Sequence, residues 1–149
     1  MGPTFGDPSL GTILDGVAKD LNGDGYSDVV LTGSSGKGRV LFSVAKYTLA
    51  PGQSSDFGAP SHNLALVDLN GDGLTDLLHT ENTLHSMGLF YGAGPPGAPS
   101  FTFRNGNERI LNGLNPWGVA VGDLNKDGKP DAVVANQDSR DVSIHLHLP

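Results

Sequence analysis

Short apolar runs of three or four residues, each bounded by glycine, proline or polar residues, recur along the whole chain. Val29–Leu31, Leu64–Val67 and Val119–Val121 are of this kind. Brief runs rich in β-branched residues between turn signals predict strands, whereas a helix needs a longer stretch with apolar positions three and four apart. The pattern predicts an all-β protein.

The predicted strands fall into three units of the same order. In each unit one strand enters a polar loop, a second leaves it, a third follows a turn, and a fourth precedes the next unit. The units span approximately residues 16–60, 61–110 and 111–149, and the third lacks its fourth strand. Four short strands repeated about every 40 to 50 residues are typical of β-propeller blades. We therefore predict a β-propeller segment with three blade equivalents.

The N-terminal residues 2–8 resemble a fourth strand displaced to the front, because Phe5-Gly6 precedes the first loop as Phe57-Gly58 precedes the second. Propeller rings usually contain four to eight blades, so three need completion. One hypothesis is a head-to-tail homodimer that forms a six-bladed ring by strand exchange, residues 2–8 of each copy completing the other's last blade. The other is that the chain is a fragment of a longer propeller.

The polar loops repeat one nine-residue pattern, with Asp at positions 1, 5 and 9, Asn at position 3 and Gly at position 6. Calcium takes six to eight oxygen ligands from carboxylates, amide and backbone carbonyls, and water. We predict one Ca²⁺ per loop, held by side chains 1, 3, 5 and 9 and by the backbone carbonyl of residue 7. The predicted ligands are Asp20, Asn22, Asp24, Tyr26 and Asp28; Asp68, Asn70, Asp72, Leu74 and Asp76; and Asp123, Asn125, Asp127, Lys129 and Asp131.

An EF-hand begins in a similar way but requires a bidentate acid at position 12 and flanking helices. Position 12 is Leu31, His79 and Val134 in the three loops, and the flanks are strand-like. These features exclude the EF-hand. In the third loop Lys126 and Lys129 replace uncharged residues, and we expect them to weaken that site.

The pattern Asp-x-Asn-x-Asp-Gly-x-x-Asp between two strands resembles the FG-GAP/VCBS repeat, which occurs in integrin α-subunit propellers and in many secreted bacterial and fungal proteins. Phe57-Gly58-Ala59-Pro60 is similar to the motif in the family's name, and residues 115–125 are similar to its commonest lead-in. The resemblance covers nearly the whole chain. It implies a propeller whose Ca²⁺ ions brace the loop between the first two strands of each blade.

Composition narrows the functional classes. The formal net charge is −7, and nine of the sixteen acidic residues lie in the three loops. Three divalent ions would bring the charge to about −1, and nothing in the balance favours nucleic acid. The chain has no cysteine and no apolar run that approaches the ~20 residues of a membrane span. We expect neither disulfides nor membrane insertion.

No catalytic constellation stands out, so we predict a protein that is not an enzyme. His145 and His147 have a spacing that can ligate zinc, but no third ligand is evident, and we favour a polar strand face. The expected function is a calcium-stabilised binding or adhesion module for a glycan or a protein. Aromatics such as Trp117, Tyr91 and Phe103 would serve a glycan, and residues 92–116 a protein.

An alternative is a structural propeller fragment or an accessory domain of a larger secreted protein or enzyme. Asp/Asn loops without a Glu at position 12 suit the high Ca²⁺ outside cells better than the cytosol. We therefore expect a secreted or cell-surface protein, although this chain shows no export signal.

Overall fold

The structure, a computed structural model, describes residues 5–45, 48–94 and 102–146, without the side chains of residue 53 and residues 102–108. Within these ranges the chain forms strands and two one-turn 3-10 helices, Pro8–Leu10 and Asn82–Leu84. The strands are β1 (Ile13–Lys19), β2 (Asp28–Gly33), β3 (Lys37–Ala45), β4 (Thr48–Asp56), β5 (Leu64–Val67), β6 (Asp76–Glu81), β7 (Ser86–Ala93), β8 (Thr102–Leu111), β9 (Pro116–Gly122), β10 (Asp131–Asn136) and β11 (Asp141–His145). The all-β prediction is confirmed. No helix in these ranges is long and apolar enough to cross a bilayer.

The strands form three antiparallel sheets, each in sequence order. Blade 1 is β1-β2-β3-β4, blade 2 is β5-β6-β7-β8, and blade 3 is β9-β10-β11. Sequential antiparallel pairing follows from short connections that reverse the chain. Each polar loop joins the first two strands of its blade, as the sequence predicts. Closure of the blades into a ring is a property of an assembly and stays a prediction.

Apolar side chains fill the spaces between neighbouring blades. One cluster lies between blades 1 and 2, and it contains Leu21, Val30, Val40, Phe42, Phe57, Leu64, Leu77 and Phe90. A second cluster lies between blades 2 and 3, and it contains Ala65, Leu69, Leu78, Met87, Leu89, Val119, Ala132 and Val134. Because side chains alternate along a strand, each sheet can bury one face against each neighbour.

Blade 2 shows the consequence of having a neighbour on both faces. All six residues of β6 are buried, and so are five consecutive residues of β7. In contrast, β11 of blade 3 has no fully buried residue. Burial in this fold therefore depends on the position of a blade in the array as well as on its sequence.

The N-terminal segment does not form the predicted outer strand within the single chain. Residues 5–7 lack regular structure and Pro8–Leu10 is a 3-10 helix, while residues 2–4 of the predicted strand lie outside the described residues. Leu10 is fully buried, and the Asp7 carboxylate pairs with the Arg39 guanidinium of β3 at 2.6 Å. These contacts hold the segment against its own blade 1, and they would have to break before strand exchange.

The fourth strand of blade 2 runs through a mostly polar stretch. β8 begins at Thr102 and continues to Leu111. Its residues pair along β7, which is possible because one face of an outer strand meets solvent.

Candidate metal centre

The first loop is folded around its own acidic side chains. The Asp20 carboxylate accepts hydrogen bonds from the backbone N–H groups of Gly23 at 2.7 Å and Gly25 at 2.9 Å. The Asp24 Oδ1 atom accepts the N–H of Tyr26 at 2.8 Å. Asn22 Oδ1 accepts the N–H of Asp24 at 3.1 Å. Positions 1, 3 and 5 thus wrap the backbone into a compact turn, as Asx side chains commonly do.

The second and third loops repeat this network. In the second, Asp68 accepts from the N–H groups of Gly71 and Gly73, and Asp72 Oδ1 accepts from Leu74 at 2.8 Å. The third loop differs at one bond: Asp123 accepts from Gly128 at 2.9 Å and from Asp127 at 3.1 Å, whereas the N–H of position 4 donates to the first Asp in the other two loops. The N–H of position 5 donates to the Asn at position 3 in both loops, from Asp72 to Asn70 and from Asp127 to Asn125. The N–H of Lys129 at position 7 donates to Asp127. Identical spacing has therefore produced the same local fold three times.

Glycine at position 6 meets a backbone requirement in every loop. Gly25, Gly73 and Gly128 have φ values of 87°, 82° and 83°, a region that residues with a Cβ atom rarely occupy. Position 4 has the same requirement, with φ of 77° at Gly23 and 74° at Gly71. The third loop has Lys126 at position 4, with φ of 64°. A lysine in this conformation makes the third loop intrinsically less favourable.

The Asp at position 9 is the buried anchor of each loop. Asp28 accepts the N–H of Leu21 at 3.0 Å and the N–H of Ser43 in β3 at 2.9 Å. Asp76 makes the corresponding bonds to Leu69 at 2.8 Å and to Gly92 in β7 at 2.7 Å. Asp131 accepts from Leu124 at 2.8 Å. In blades 1 and 2 this residue fastens the loop to the third strand, a role that the sequence pattern did not reveal.

The carboxylates of the second loop influence one another electrostatically. Burial raises the pKa of the Asp76 carboxyl, hydrogen bonds from Gly92 and Leu69 oppose that rise, and the charges of Asp72 and Asp68 add to it. A bound cation would offset both the burial cost and the mutual repulsion. The loop therefore has an electrostatic reason to bind positive charge.

The donor set fits calcium in chemistry and number. Each loop offers three carboxylates and one amide oxygen, with neither sulfur nor imidazole, which suits a hard cation. A carboxylate can accept about four hydrogen bonds or ligand contacts, so one backbone bond per oxygen leaves capacity for a metal. Among the described residues, no three acidic or histidine side chains form a preformed metal centre. The loops bring the predicted ligands into one turn, with their oxygens bonded to backbone amides.

The residues at position 7 make the same backbone hydrogen bond in all three loops. The N–H groups of Tyr26, Leu74 and Lys129 donate to the carboxylate two residues earlier. This bond fixes the peptide next to the turn from which the predicted carbonyl ligand would come. The fifteen predicted ligand residues thus belong to three equivalent loops, each at the same edge of its own blade.

Comparison with known families agrees with this repeat. A profile of the FG-GAP-like repeat matches residues 20–79, and a profile of the FG-GAP repeat matches residues 115–145. The chain belongs to the FG-GAP repeat family. The two matches include all three loops, and FG-GAP repeats form propeller blades that commonly bind Ca²⁺. No curated protein matches the chain significantly.

A second feature of this FG-GAP protein lies at the start of β9. The Trp117 ring is 46% exposed and stacks on His62 of blade 2, with 4.2 Å between ring centroids. A cavity of about 400 Å³ borders Trp117, and its other lining residues are Ala135, Asn136, Gln137, Arg140 and Asp141. His62 and Trp117 each precede the first Asp of their loop by six residues. That shared position was the signal in the sequence for this pair.

His79 shows a structural role that the sequence did not indicate. Its ring lies between blades 1 and 2, stacked on Phe57 at 4.6 Å, and its Nδ1 atom is 2.7 Å from the Ser61 hydroxyl. Burial, assisted by the positive charge of Arg109, lowers the pKa of His79 to about 3. Gly88 on the adjacent strand makes room for the ring, because a Cβ atom there would lie 2.2 Å from His79 Nε2.

The structure describes one member of the histidine pair that has a zinc-like spacing. His145 Nε2 lies 2.7 Å from Asn112 Oδ1, and burial lowers the pKa of this histidine. His147 lies outside the described residues. The contact with Asn112 gives His145 a role in joining blade 3 to the connection from blade 2.

Proposed function

We propose that this FG-GAP protein is a calcium-stabilised propeller module that binds another molecule, with one Ca²⁺ in each of its three loops. The observation that carries the proposal is the threefold repetition of one oxygen-rich turn, anchored each time by a fully buried Asp at position 9. Asp20, Asn22, Asp24 and Asp28 would hold the first ion with the Tyr26 carbonyl, and the equivalent residues would hold the others. The bound ion would supply charge neutralisation and would cross-link the loop.

Calcium in this role stabilises the folded state by mass action. A ligand that binds only the folded protein contributes about 2.7 kcal/mol per site when its free concentration is 100 times Kd. We expect the melting temperature to rise clearly in millimolar Ca²⁺ and to fall in chelator, as measured by differential scanning calorimetry. Mg²⁺ should have a smaller effect, because it prefers fewer protein ligands and more retained water.

The position-5 substitutions D24N, D72N and D127N remove one carboxylate charge from each loop. Asparagine keeps the Oδ1 acceptor of the backbone bond to position 7, but it replaces Oδ2, which accepts the Nδ2 group of the Asn at position 3, with a donor. The triple variant should lose most of the calcium-dependent rise, and its metal-free melting temperature reports the separate cost of the lost Asn–Asp bonds. If the wild-type melting temperature does not respond to Ca²⁺ or chelator, the calcium proposal is wrong.

For the bound molecule we propose a glycan at the Trp117 cavity. An exposed indole offers a flat apolar surface to the C–H face of a sugar ring, and the neighbouring Asn136, Gln137, Arg140 and Asp141 offer donors and acceptors for its hydroxyls. Ligand sites of this kind combine an aromatic wall with a few convergent polar groups. The Trp117–His62 stack holds the ring in place for such a contact.

A glycan array in Ca²⁺ buffer tests this assignment. Trp117 is the only tryptophan in the chain, so its intrinsic fluorescence reports directly on the site during titration with any hit. Glycan binding should be lost in W117A and preserved in L111A, a change at another exposed apolar residue. A clean negative array would overturn the glycan assignment and favour a protein partner.

We place this function outside the cell or at its surface, where millimolar Ca²⁺ keeps weak oxygen sites filled. We assign the protein no catalytic step. We propose that it acts as a scaffold, in which the loop carboxylates bind metal and accept hydrogen bonds from backbone amides.

A further inference from the structure

Equivalent positions in blades 2 and 3 can be identified from strand register. The loops that open the two blades begin 55 residues apart, so Leu69 corresponds to Leu124 and Leu78 to Val133. Leu78 lies opposite Leu89 in the β6–β7 pair, and Val133 lies opposite Ile144 in the β10–β11 pair. By the same register, Met87 of blade 2 corresponds to Val142 of blade 3.

These equivalent residues differ sharply in burial. In blade 2 they belong to the cluster packed against blade 3, with Leu69 5% and Leu89 1% exposed. In blade 3 they face away from blade 2, with Leu124 51% and Ile144 59% exposed. We call the surface formed by Ala120, Leu124, Val133, Val142 and Ile144 the open face of blade 3. It carries the apolar pattern of a blade–blade interface, and no blade in the described part of the chain packs against it.

The other end of the array offers a matching surface. Blade 2 meets blade 1 through Leu64, Leu66, Leu74 and Leu77. The loops of these two blades begin 48 residues apart, so the equivalents in blade 1 are Gly16, Ala18, Tyr26 and Val29. Gly16, Ala18 and Tyr26 are exposed and Val29 is half-buried. We call these four residues the rear face of blade 1.

We propose that the open face of blade 3 docks onto the rear face of blade 1 in a second copy of this chain. A second copy is the expected partner because of the two interfaces within the chain. In each of them, one face of a blade packs against the opposite face of the next blade. A second copy presents the required rear face, and its own open face meets the rear face of the first copy. Contacts of this head-to-tail kind form rings when the rotation closes. Two copies would give six blades, within the usual range for propellers.

This docking does not require strand exchange. The N-terminal segment lies on the same side of blade 1 as the rear face, because Arg39 pairs with Leu31 of β2 and a Cβ atom at Gly33 would meet Leu10. The buried Leu10 and the Asp7–Arg39 ion pair would therefore border the contact between copies. The inference also goes beyond the proposed calcium and glycan sites, because it concerns side chains that neither site uses as ligands; Tyr26 would give the calcium only its backbone carbonyl.

One hydrogen bond that occurs at both blade–blade interfaces within the chain has no counterpart at the proposed contact between copies. Within the chain, Asp15 Oδ2 accepts the N–H of Leu64 at 2.9 Å, and Asn63 Oδ1 accepts the N–H of Val119 at 2.8 Å. Both acceptors lie five residues before the first Asp of a loop. In blade 3 that position is Gly118, which has no side chain to offer. The contact between copies should therefore be weaker than the contacts within one chain.

Analytical ultracentrifugation in Ca²⁺ buffer tests the docking, with the mass expected at twice the 15.4 kDa of one chain. I144E places a charge on the open face at a residue that is already exposed, and it should convert the dimer to a monomer. L111E is the matched control, since Leu111 is 78% exposed on blade 2, away from both faces. The control should remain dimeric, and circular dichroism should show all three proteins folded.

The Gly118→Asn substitution tests the docking by strengthening the contact between copies instead of weakening it. A Cβ atom at Gly118 would meet only the Ala135 Cβ atom, at 4.0 Å, so the position accepts a Cβ atom without a clash. The introduced asparagine would reproduce the acceptor that Asn63 provides, and the dissociation constant of the dimer should fall about tenfold. I144E together with G118N should still be monomeric, because the apolar contact is lost.

Three results would overturn the inference: a wild-type mass of one chain at all concentrations, a ladder of higher oligomers, or a dimer that survives I144E. A monomer would indicate that another blade of a longer polypeptide covers the open face. The calcium-dependent melting shift, recorded on the same samples, reports separately on the proposed function.

Discussion

Blades 2 and 3 share a loop pattern and the order of their first three strands, yet they differ in what surrounds them. The leucine at position 2 of the loop illustrates the difference: Leu69 is buried between blades, whereas Leu124 in the same local fold is half exposed. His79 on β6 is enclosed, and its equivalent Val134 on β10 packs against blade 2. Local sequence decides the loop, and the neighbouring blade decides what a side chain contributes to stability.

The largest expected effect comes from truncating equivalent apolar residues. L89A should lower the free energy of unfolding by about 2–5 kcal/mol, because it opens a cavity between blades 2 and 3. I144A should cost within about 0.5 kcal/mol, because that side chain is mostly in water. Urea unfolding at low protein concentration, where association contributes little, gives both values. Equal costs would mean that the open face is covered within the single chain.

The next effect is a pH dependence that arises mainly from His79 of blade 2, with a contribution of the same sign from His145 of blade 3. The folded-state pKa of His79 is about 3 against an ordinary value of 6.5, so the unfolded chain binds a proton that the folded chain excludes. Its contribution to stability is complete above pH 6.5 and is lost as the pH falls toward 3. The loss should be about 2 kcal/mol between pH 7 and pH 5.

The control variant, H79V, replaces His79 with valine, the residue that blade 3 has at the equivalent position 134. H79V removes the titrating ring, so its unfolding free energy should change less between pH 7 and pH 5, even though the variant is less stable throughout. The measurement is made in saturating Ca²⁺ to keep the loop carboxylates ionised. An unchanged pH slope in H79V would assign the effect to other groups.

The smallest effect compares position 4 of the loops. G71K introduces a residue with a Cβ atom at φ of 74° and should cost about 1 kcal/mol, although the space around the Cβ atom is free. K126G should stabilise the third loop by less than that amount, because glycine also gains entropy in the unfolded chain. G71N is the matched control, since asparagine tolerates this conformation better than lysine.

Calorimetry of these variants also tests calcium affinity. G71K adds a positive charge beside the second site, so its calcium-dependent melting shift should shrink, while K126G should enlarge the shift that arises from the third site. If K126G leaves both stability and calcium response unchanged, Lys126 does not weaken the third loop.

Much of the fold was predictable from the sequence because its causes are local. Runs such as Val29–Leu31 are too short for helices, and turn residues separate them, so an all-β protein followed. Gly25, Gly73 and Gly128 marked positions where the backbone needs a positive φ. The three loops kept one spacing, and most of the same hydrogen bonds formed in each; the third loop, with Lys126 at position 4, uses the N–H of Asp127 in place of the position-4 donor.

The predictions that failed or stayed incomplete depended on distant parts of the chain. The outer strand expected at residues 2–8 would complete a blade of another copy and stays a prediction; within one chain, Leu10 and Asp7 find partners on blade 1. The end of β8 could not be read from a polar stretch, since pairing with β7 extends the strand. The links from Asp15 to blade 2 and from Asn63 to blade 3 join residues about 50 positions apart.

By itself the sequence determined the repeat, the strands within each unit and the oxygen-rich turns, since hydrophobic spacing and glycine conformation act over a few residues. Only the tertiary structure decided which equivalent side chains are buried, which carboxylate anchors the third strand, and which sheet face is left uncovered. Burial depends on what lies across a sheet, and the pattern of one strand is the same whether or not a neighbour covers it.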